Sequence, residues 1–212
     1  MIYILLALAL LGGLTMLLGR QNNDGENLNQ EQAELLTTGM TAYVGTAKNV
    51  VDQMLMSGAT VNDLSFTKPN HPSFDNEIHR FQVYHPDGGG FSTDTKDSSS
   101  LFAGTGGTPP NGWYMGRFNN VDWTPSSEQD VFFTALGITQ AVCENINKKI
   151  TGSSSIPAVA DATKFFVDDD EGGSGNADFA DTDCTDCEGY PSLCVSTDSG
   201  ARFIYYNIIE AR

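Results

Sequence analysis

Four cysteines, three histidines and one dense run of carboxylates are the residues of this 212-residue chain whose types and spacing are suited to chemistry. Cys184-Thr-Asp-Cys187 has the spacing of a redox motif. It lies among acidic residues, which raise the pKa of a thiol, and no strand-to-helix pattern follows it, so a structural disulfide is the expectation. With Cys143 and Cys194 the cysteine number is even, which in an exported chain favours two disulfides. Four cysteines allow three pairings. Cys143–Cys194 with Cys184–Cys187 is favoured, and Cys143–Cys184 with Cys187–Cys194 stands close behind. Asp168-Asp169-Asp170-Glu171 offers several hard oxygen ligands, the donor set of calcium, but does not follow the alternating pattern of an EF-hand loop. A solvated acidic run is the default there, and no other cofactor is expected. His71, His79 and His85 look too few and too scattered to form a ligand set, and no Cys-x-x-Cys-His haem signature occurs. Gly88-Gly89-Gly90 lacks a following lysine and helix, so it reads as a turn and not a phosphate cradle. Serines at 98–100 and 153–155 lack the context of an activated nucleophile. No catalytic set emerges, and the chain reads as a non-enzyme.

The residues that must position these groups come from a strongly acidic chain, with a formal charge of −16 at pH 7 and 40% hydrophobic content. That charge argues against nucleic acid as a partner, because phosphate contacts need Lys and Arg. It also disfavours anionic membrane surfaces. An acidic exterior suits the solubility of an exported protein. The length allows one domain of ordinary size plus an N-terminal helix.

That helix is the chain's most biased element. Residues 2 to 18 are apolar throughout, and no charge precedes Arg20. A helix of this length is roughly 25 Å long, near the ~30 Å hydrocarbon core of a bilayer. Three readings fit: a retained signal peptide, a plain membrane anchor, or the leading segment of a mature chain whose basic leader has been removed. The third is favoured, since no basic residue precedes the run and Leu17-Leu18-Gly19-Arg20 is a poor cleavage site. Residues 20–29 are polar and read as a loosened joint, with a locally melted stretch expected between Gly12 and Asn29. Leu36, Met40, Tyr43, Ala47, Val50 and Met54 then alternate steps of four and three, which predicts an amphipathic helix from about Asn29 to Ser57, stopping at Gly58. Beyond Val61 the composition turns to short runs typical of strands: Ile78–Tyr84, Trp113–Phe118, Val131–Leu136 and Arg202–Ile209. One more helix is expected at about Thr139–Thr151. No regular strand-helix alternation is present, so the sheet should be antiparallel. Residues 161–200 carry eleven acids against one base, Lys164. They are expected to form a long surface loop tied down by disulfides.

An apolar leading helix, an amphipathic continuation, a β-rich body and a cysteine-tethered C-terminal region, in that order, resemble a type IV pilin or pseudopilin. The segments that carry the resemblance are Ile4 to Thr15, Glu31-Gln32-Ala33-Glu34-Leu35-Leu36, His85-Pro86-Asp87-Gly88-Gly89-Gly90, Val142-Cys143-Glu144-Asn145-Ile146-Asn147 and Phe203-Ile204-Tyr205-Tyr206-Asn207. Leu5 stands where typical major pilins carry a glutamate, and the usual proline near the twentieth position is missing. The resemblance implies an α+β fold, with a long N-terminal helix on an antiparallel β-sheet body and disulfide-tethered C-terminal loops. Its divisions would be the helix at 1–57 and a β-rich head at 58–212. It implies assembly through Met1, Ile4, Leu5, Leu6, Leu8, Leu10, Leu11, Gly12, Gly13, Leu14, Leu17 and Leu18. The expected partners are copies of the chain in a helical filament, with the pilus assembly machinery and inner membrane before assembly. The expected location is an extracellular filament on the cell surface. A minor subunit of a secretion apparatus and a membrane-anchored exported domain are the alternatives.

Overall fold

The structure is a computed structural model that describes residues 30–93, 101–103, 107–167 and 177–212. The apolar run, the joint and the predicted melted stretch lie outside the described residues. Helix α1 covers 30–56 and ends where Gly58 takes a φ of +97°, a left-handed conformation that most side chains resist. Its buried seam is Ala33, Thr37, Met40, Val44, Ala47, Val51 and Met54. The predicted stripe shares Met40, Ala47 and Met54 with this seam, while Leu36, Tyr43 and Val50 sit half-buried on its flank. The face is turned because Thr37 counts as apolar here. Its hydroxyl donates to the Ala33 carbonyl one turn back (2.7 Å), so burying it strands no polar group.

The sheet has four strands, β1 (Gly112–Arg117), β2 (Val131–Leu136), β3 (Ser192–Thr197) and β4 (Arg202–Glu210), in the order β1-β2-β4-β3. All pairings are antiparallel, as the sequence predicts. Helix α2 (Gln140–Thr151) precedes β3 and ends at Gly152, whose φ is +81°. The result is an α+β fold with a pilin-like architecture, a long helix packed on an antiparallel sheet with disulfides.

Strand β2 is buried at every position because both sheet faces are covered. Met115, Phe133, Ala135, Tyr205 and Ile209 face α1 and α2, where Tyr43 sits in a cage of Phe91, Trp113 and Phe133 with ring centroids 4.9 to 5.3 Å away. Each such aromatic pair adds ~0.5–1.5 kcal/mol beyond simple burial. Phe132, Leu136, Leu193, Val195, Ile204 and Tyr206 face the other way, onto Phe165, Phe166 and Phe179.

Two expectations need correction. Residues 161–200 are not one long surface loop. Their described residues contain α3 (Thr163–Phe166), a single turn, and strand β3, and Ala162, Phe165, Phe166 and Phe179 cover the second face of the sheet. Asp161, Asp181, Asp183, Asp186 and Glu188 point outward while Ala162, Phe165, Phe166 and Phe179 point inward, so the cover is amphipathic. Residues 78–84 form no strand. His79–Phe81 is a 3-10 turn, and the only sheet-like contact of the segment is an isolated bridge between Ser65 and Gln82. Its backbone groups are taken by that bridge and by the turn that follows: the Ser65 N–H donates to the Phe81 carbonyl and the Val83 N–H to that of Ser65, while the Gly89 N–H donates to the Gln82 carbonyl and the Phe91 N–H to that of Val83, each at 2.9 Å. No ladder remains for a partner strand.

The β3 edge is covered, and the β1 edge is met at one point. Buried Asn147 of α2 donates to the Cys194 carbonyl and accepts from the Cys194 N–H, each at 2.8 Å, and so imitates a neighbouring strand at the β3 edge. Segment 157–159 continues this, with the Ser196 N–H donating to the Pro157 carbonyl and the Val159 N–H to the Ser196 carbonyl. At β1, Lys68 Nζ donates to the Trp113 carbonyl (2.7 Å). The cover at β3 removes one template for uncontrolled strand pairing.

Candidate functional site

Two strips of α1 run along its length with the same alternation of four and three as the buried seam. The outward strip is Leu35, Gly39, Ala42, Thr46, Asn49, Gln53 and Met56, all exposed and none charged. The four charges of α1, Glu31, Glu34, Lys48 and Asp52, all fall on a flanking strip. There Lys48 pairs with Asp52 (3.2 Å) and donates to the Ile209 carbonyl (2.9 Å), which ties the helix to β4. Leu35 and Met56, at the two ends of the outward strip, are 74% and 80% exposed, and with Ile78 they are the exposed large hydrophobic residues of the described chain. The middle of the strip is low in relief. A Cβ added at Gly39, or at Gly45 beside it, would meet nothing within 4 Å, so neither glycine is required by packing within the chain. The hydroxyls of Thr38, Thr41 and Thr46 donate to carbonyls one turn back and are already satisfied. This face can meet another helix closely without stranding polar groups.

The structure joins Cys143 to Cys194 and Cys184 to Cys187, the favoured pairing. The first pins α2 to the outer strand β3, beside the Asn147 contacts. The second closes a small turn under the amphipathic cover. No cysteine is left free, so thiolate chemistry is unavailable to the oxidised chain. The candidate calcium run, Asp168, Asp169, Asp170 and Glu171, and the assembly residues from Met1 to Leu18 lie outside the described residues.

No family model, no curated protein and no solved structure matches this chain.

One expectation about the histidines is corrected. His79 and His85 are brought together, with stacked rings 3.8 Å apart, and Asp87 joins them, while His71 stays elsewhere. The signal for this pairing is the Pro86-Asp87-Gly88-Gly89 turn, which folds His85 back over the residue that precedes Arg80. Gly88 and Gly89 are needed there because an added Cβ would fall 2.3 Å from the Gln82 carbonyl oxygen or 2.5 Å from that of Val83. The role of Asn147 was also missed. It lies one turn beyond Cys143 on the same inward face of α2, where a mid-helix Asn among Val142, Ile146 and Ile150 marks a polar group with a fixed partner.

Proposed function

We propose that this chain is the structural subunit of an extracellular type IV pilus-like filament, which polymerises through its apolar N-terminal helix. The observation that carries the reading is the outward strip of α1, uncharged, low in relief and ended by exposed Leu35 and Met56, on a chain whose residues 2–18 form an apolar run. A helix face without charge is unusual on a chain of net charge −16 and suits burial against copies of itself. The apolar run would be held in the inner membrane before assembly and in the filament core afterwards. Burying one Leu or Ile away from water contributes ~1.5–3 kcal/mol, so a polymer outside the membrane would stay assembled. Contacts of this kind are heterologous and do not close, which gives a helical fibre with the acidic cover of the sheet on its outside.

Leu5 supports a second reading. A major pilin's glutamate at that position is thought to pair with a neighbour's terminal amine, and a subunit lacking it suits a filament tip, as in a minor pilin or pseudopilin. Electron microscopy of fibres shed from cells expressing the chain separates the two. Immunogold labelling along the whole fibre is the expected result. Label confined to fibre ends would favour the minor subunit, and cells that shed no labelled fibre would overturn the reading as a filament's structural subunit.

A further inference from the structure

We infer that His79, His85 and Asp87 form a binding site for a divalent first-row transition metal ion of the zinc class. One ligand atom from each of the three lies within 4.8 Å of the others. Zinc bonded to imidazole nitrogen and carboxylate oxygen at about 2.0–2.2 Å needs ligand atoms about 3.3 Å apart, so the set closes by inward movement of Asp87 together with rotation of the His79 ring. Asp87, whose side chain is 78% exposed, is free to swing inward.

The site is built by its surroundings. The His85 ring contacts both the His79 ring, at 3.8 Å, and the Phe74 ring, at 5.4 Å. Its Nδ1 accepts the Asp87 N–H (3.1 Å), so the hydrogen-bond pattern assigns the proton of the neutral ring to Nε2 and leaves the Nδ1 lone pair facing the Asp87 side. An Asp87 carboxylate oxygen is 3.9 Å from that nitrogen. A metal ion taken there replaces the N–H contact at Nδ1. Each turn that carries the ligands is closed on itself, by the N–H groups of Gly88 and Gly90 donating to the His85 carbonyl at 2.9 Å and by the Gln82 N–H donating to the His79 carbonyl at 3.0 Å, and the Gly89 N–H donating to the Gln82 carbonyl at 2.9 Å joins the two. No room exists for a side chain at Gly88, where a Cβ would also fall 2.4 Å from the His79 carbonyl oxygen. The His79 ring must turn out of its parallel stack so that its lone pair converges on the ion. Two imidazoles and a carboxylate select zinc-class ions over calcium or magnesium, and three protein ligands leave a position for water. The site is complete within one chain, so it stands whether or not the chain polymerises. All four cysteines are paired, so no thiolate competes for the ion.

The test is titration of the full-length chain in detergent with Zn²⁺ against a chromophoric chelator, with Co²⁺ absorption as a second readout of nitrogen ligation. One equivalent of Zn²⁺ should bind per chain. His79→Ala and Asp87→Asn, both at solvent-accessible positions, should each weaken binding by about 10- to 100-fold, and His85→Ala at least as much. His71→Ala and a quadruple amide variant of Asp168, Asp169, Asp170 and Glu171 should leave it unchanged. Circular dichroism of each variant checks the fold, and Asp87→Asn keeps the test decisive if a histidine variant misfolds. Absence of saturable Zn²⁺ binding, binding that survives Asp87→Asn and His79→Ala, or binding lost with His71→Ala or the amide variant would overturn the site.

Discussion

At the scale of single residues, two carboxylates are handled in opposite ways. Glu77 is desolvated, which alone would raise its pKa, but hydroxyls of Ser65 and Thr67 and the amide of Gln82 donate to it, and His71 adds a favourable charge. The hydrogen bonds win, and the carboxyl is held below its ordinary 4.5. Asp130 is fully buried. Desolvation outweighs the donors that reach it, the N–H groups of Arg212 and Val121 and the Thr124 hydroxyl, and its pKa is pushed above 3.8. The signs of their pH linkage therefore differ. The stability from Glu77 is complete above pH 4.5 and is lost as pH falls through its lower folded value. The stability linked to Asp130 is complete below pH 3.8 and is lost as pH rises through its higher folded value. Urea midpoints measured from pH 3 to pH 7 should show this directly. Glu77→Gln should lower stability at pH 7 and flatten the loss on the acid side below pH 4.5. Asp130→Asn should instead flatten the decline as pH rises above 3.8. Two variants with the same pH profile would contradict this assignment.

At the scale of elements, the two disulfides close loops of very different size. Cys143 and Cys194 are 51 residues apart, while Cys184 and Cys187 are 3 apart. If constraint of the unfolded chain dominates, the long loop contributes about 4 kcal/mol and the short one about 1.5 kcal/mol. Urea denaturation should therefore find the paired Cys143→Ser and Cys194→Ser change more than twice as costly as Cys184→Ser with Cys187→Ser. Equal costs would place the stabilisation in native packing around each bond. Much of this architecture was legible beforehand. The stops at Gly58 and near Gly152, the apolar run of β2 and the four-three alternation of α1 all rest on local rules that tertiary context reinforced. The failures share a physical cause, composition outweighing period. Ser192–Thr197 was hidden by acidic, cysteine-rich neighbours, although Leu193 and Val195 alternate with Cys194 as a strand requires. Ile78–Tyr84 had strand-like composition, but the glycine turn that follows took its backbone hydrogen bonds. The meeting of His79 with His85 was masked for the same reason: a strand would have spaced the two rings apart, and only the Pro86-Asp87-Gly88-Gly89 turn, read as a turn, folds one over the other.

At the scale of the whole molecule, charge and relief are divided between surfaces. Acids crowd the amphipathic cover on one side of the sheet, and the outward strip of α1 on the other side carries none. Within an isolated chain, Gly39 and Gly45 are unfavourable, since each glycine in a helix interior costs about 1 kcal/mol relative to alanine and open space surrounds both. Their value must lie outside the single chain if they are functional, and close approach of a neighbouring subunit in a fibre supplies it. Gly39→Ala with Gly45→Ala should then raise the stability of the dispersed subunit, by up to about 2 kcal/mol from helix propensity, and weaken the assembled fibre. Thermal unfolding in detergent reads the first effect, and the length and salt resistance of fibres seen by negative-stain microscopy read the second. The opposite directions matter, because a variant that merely misfolds would lower both. A double variant that is more stable as a subunit and equally good as a fibre would place the strip on the filament's exterior, and the contacts holding the copies together would then have to come from the apolar run and the head.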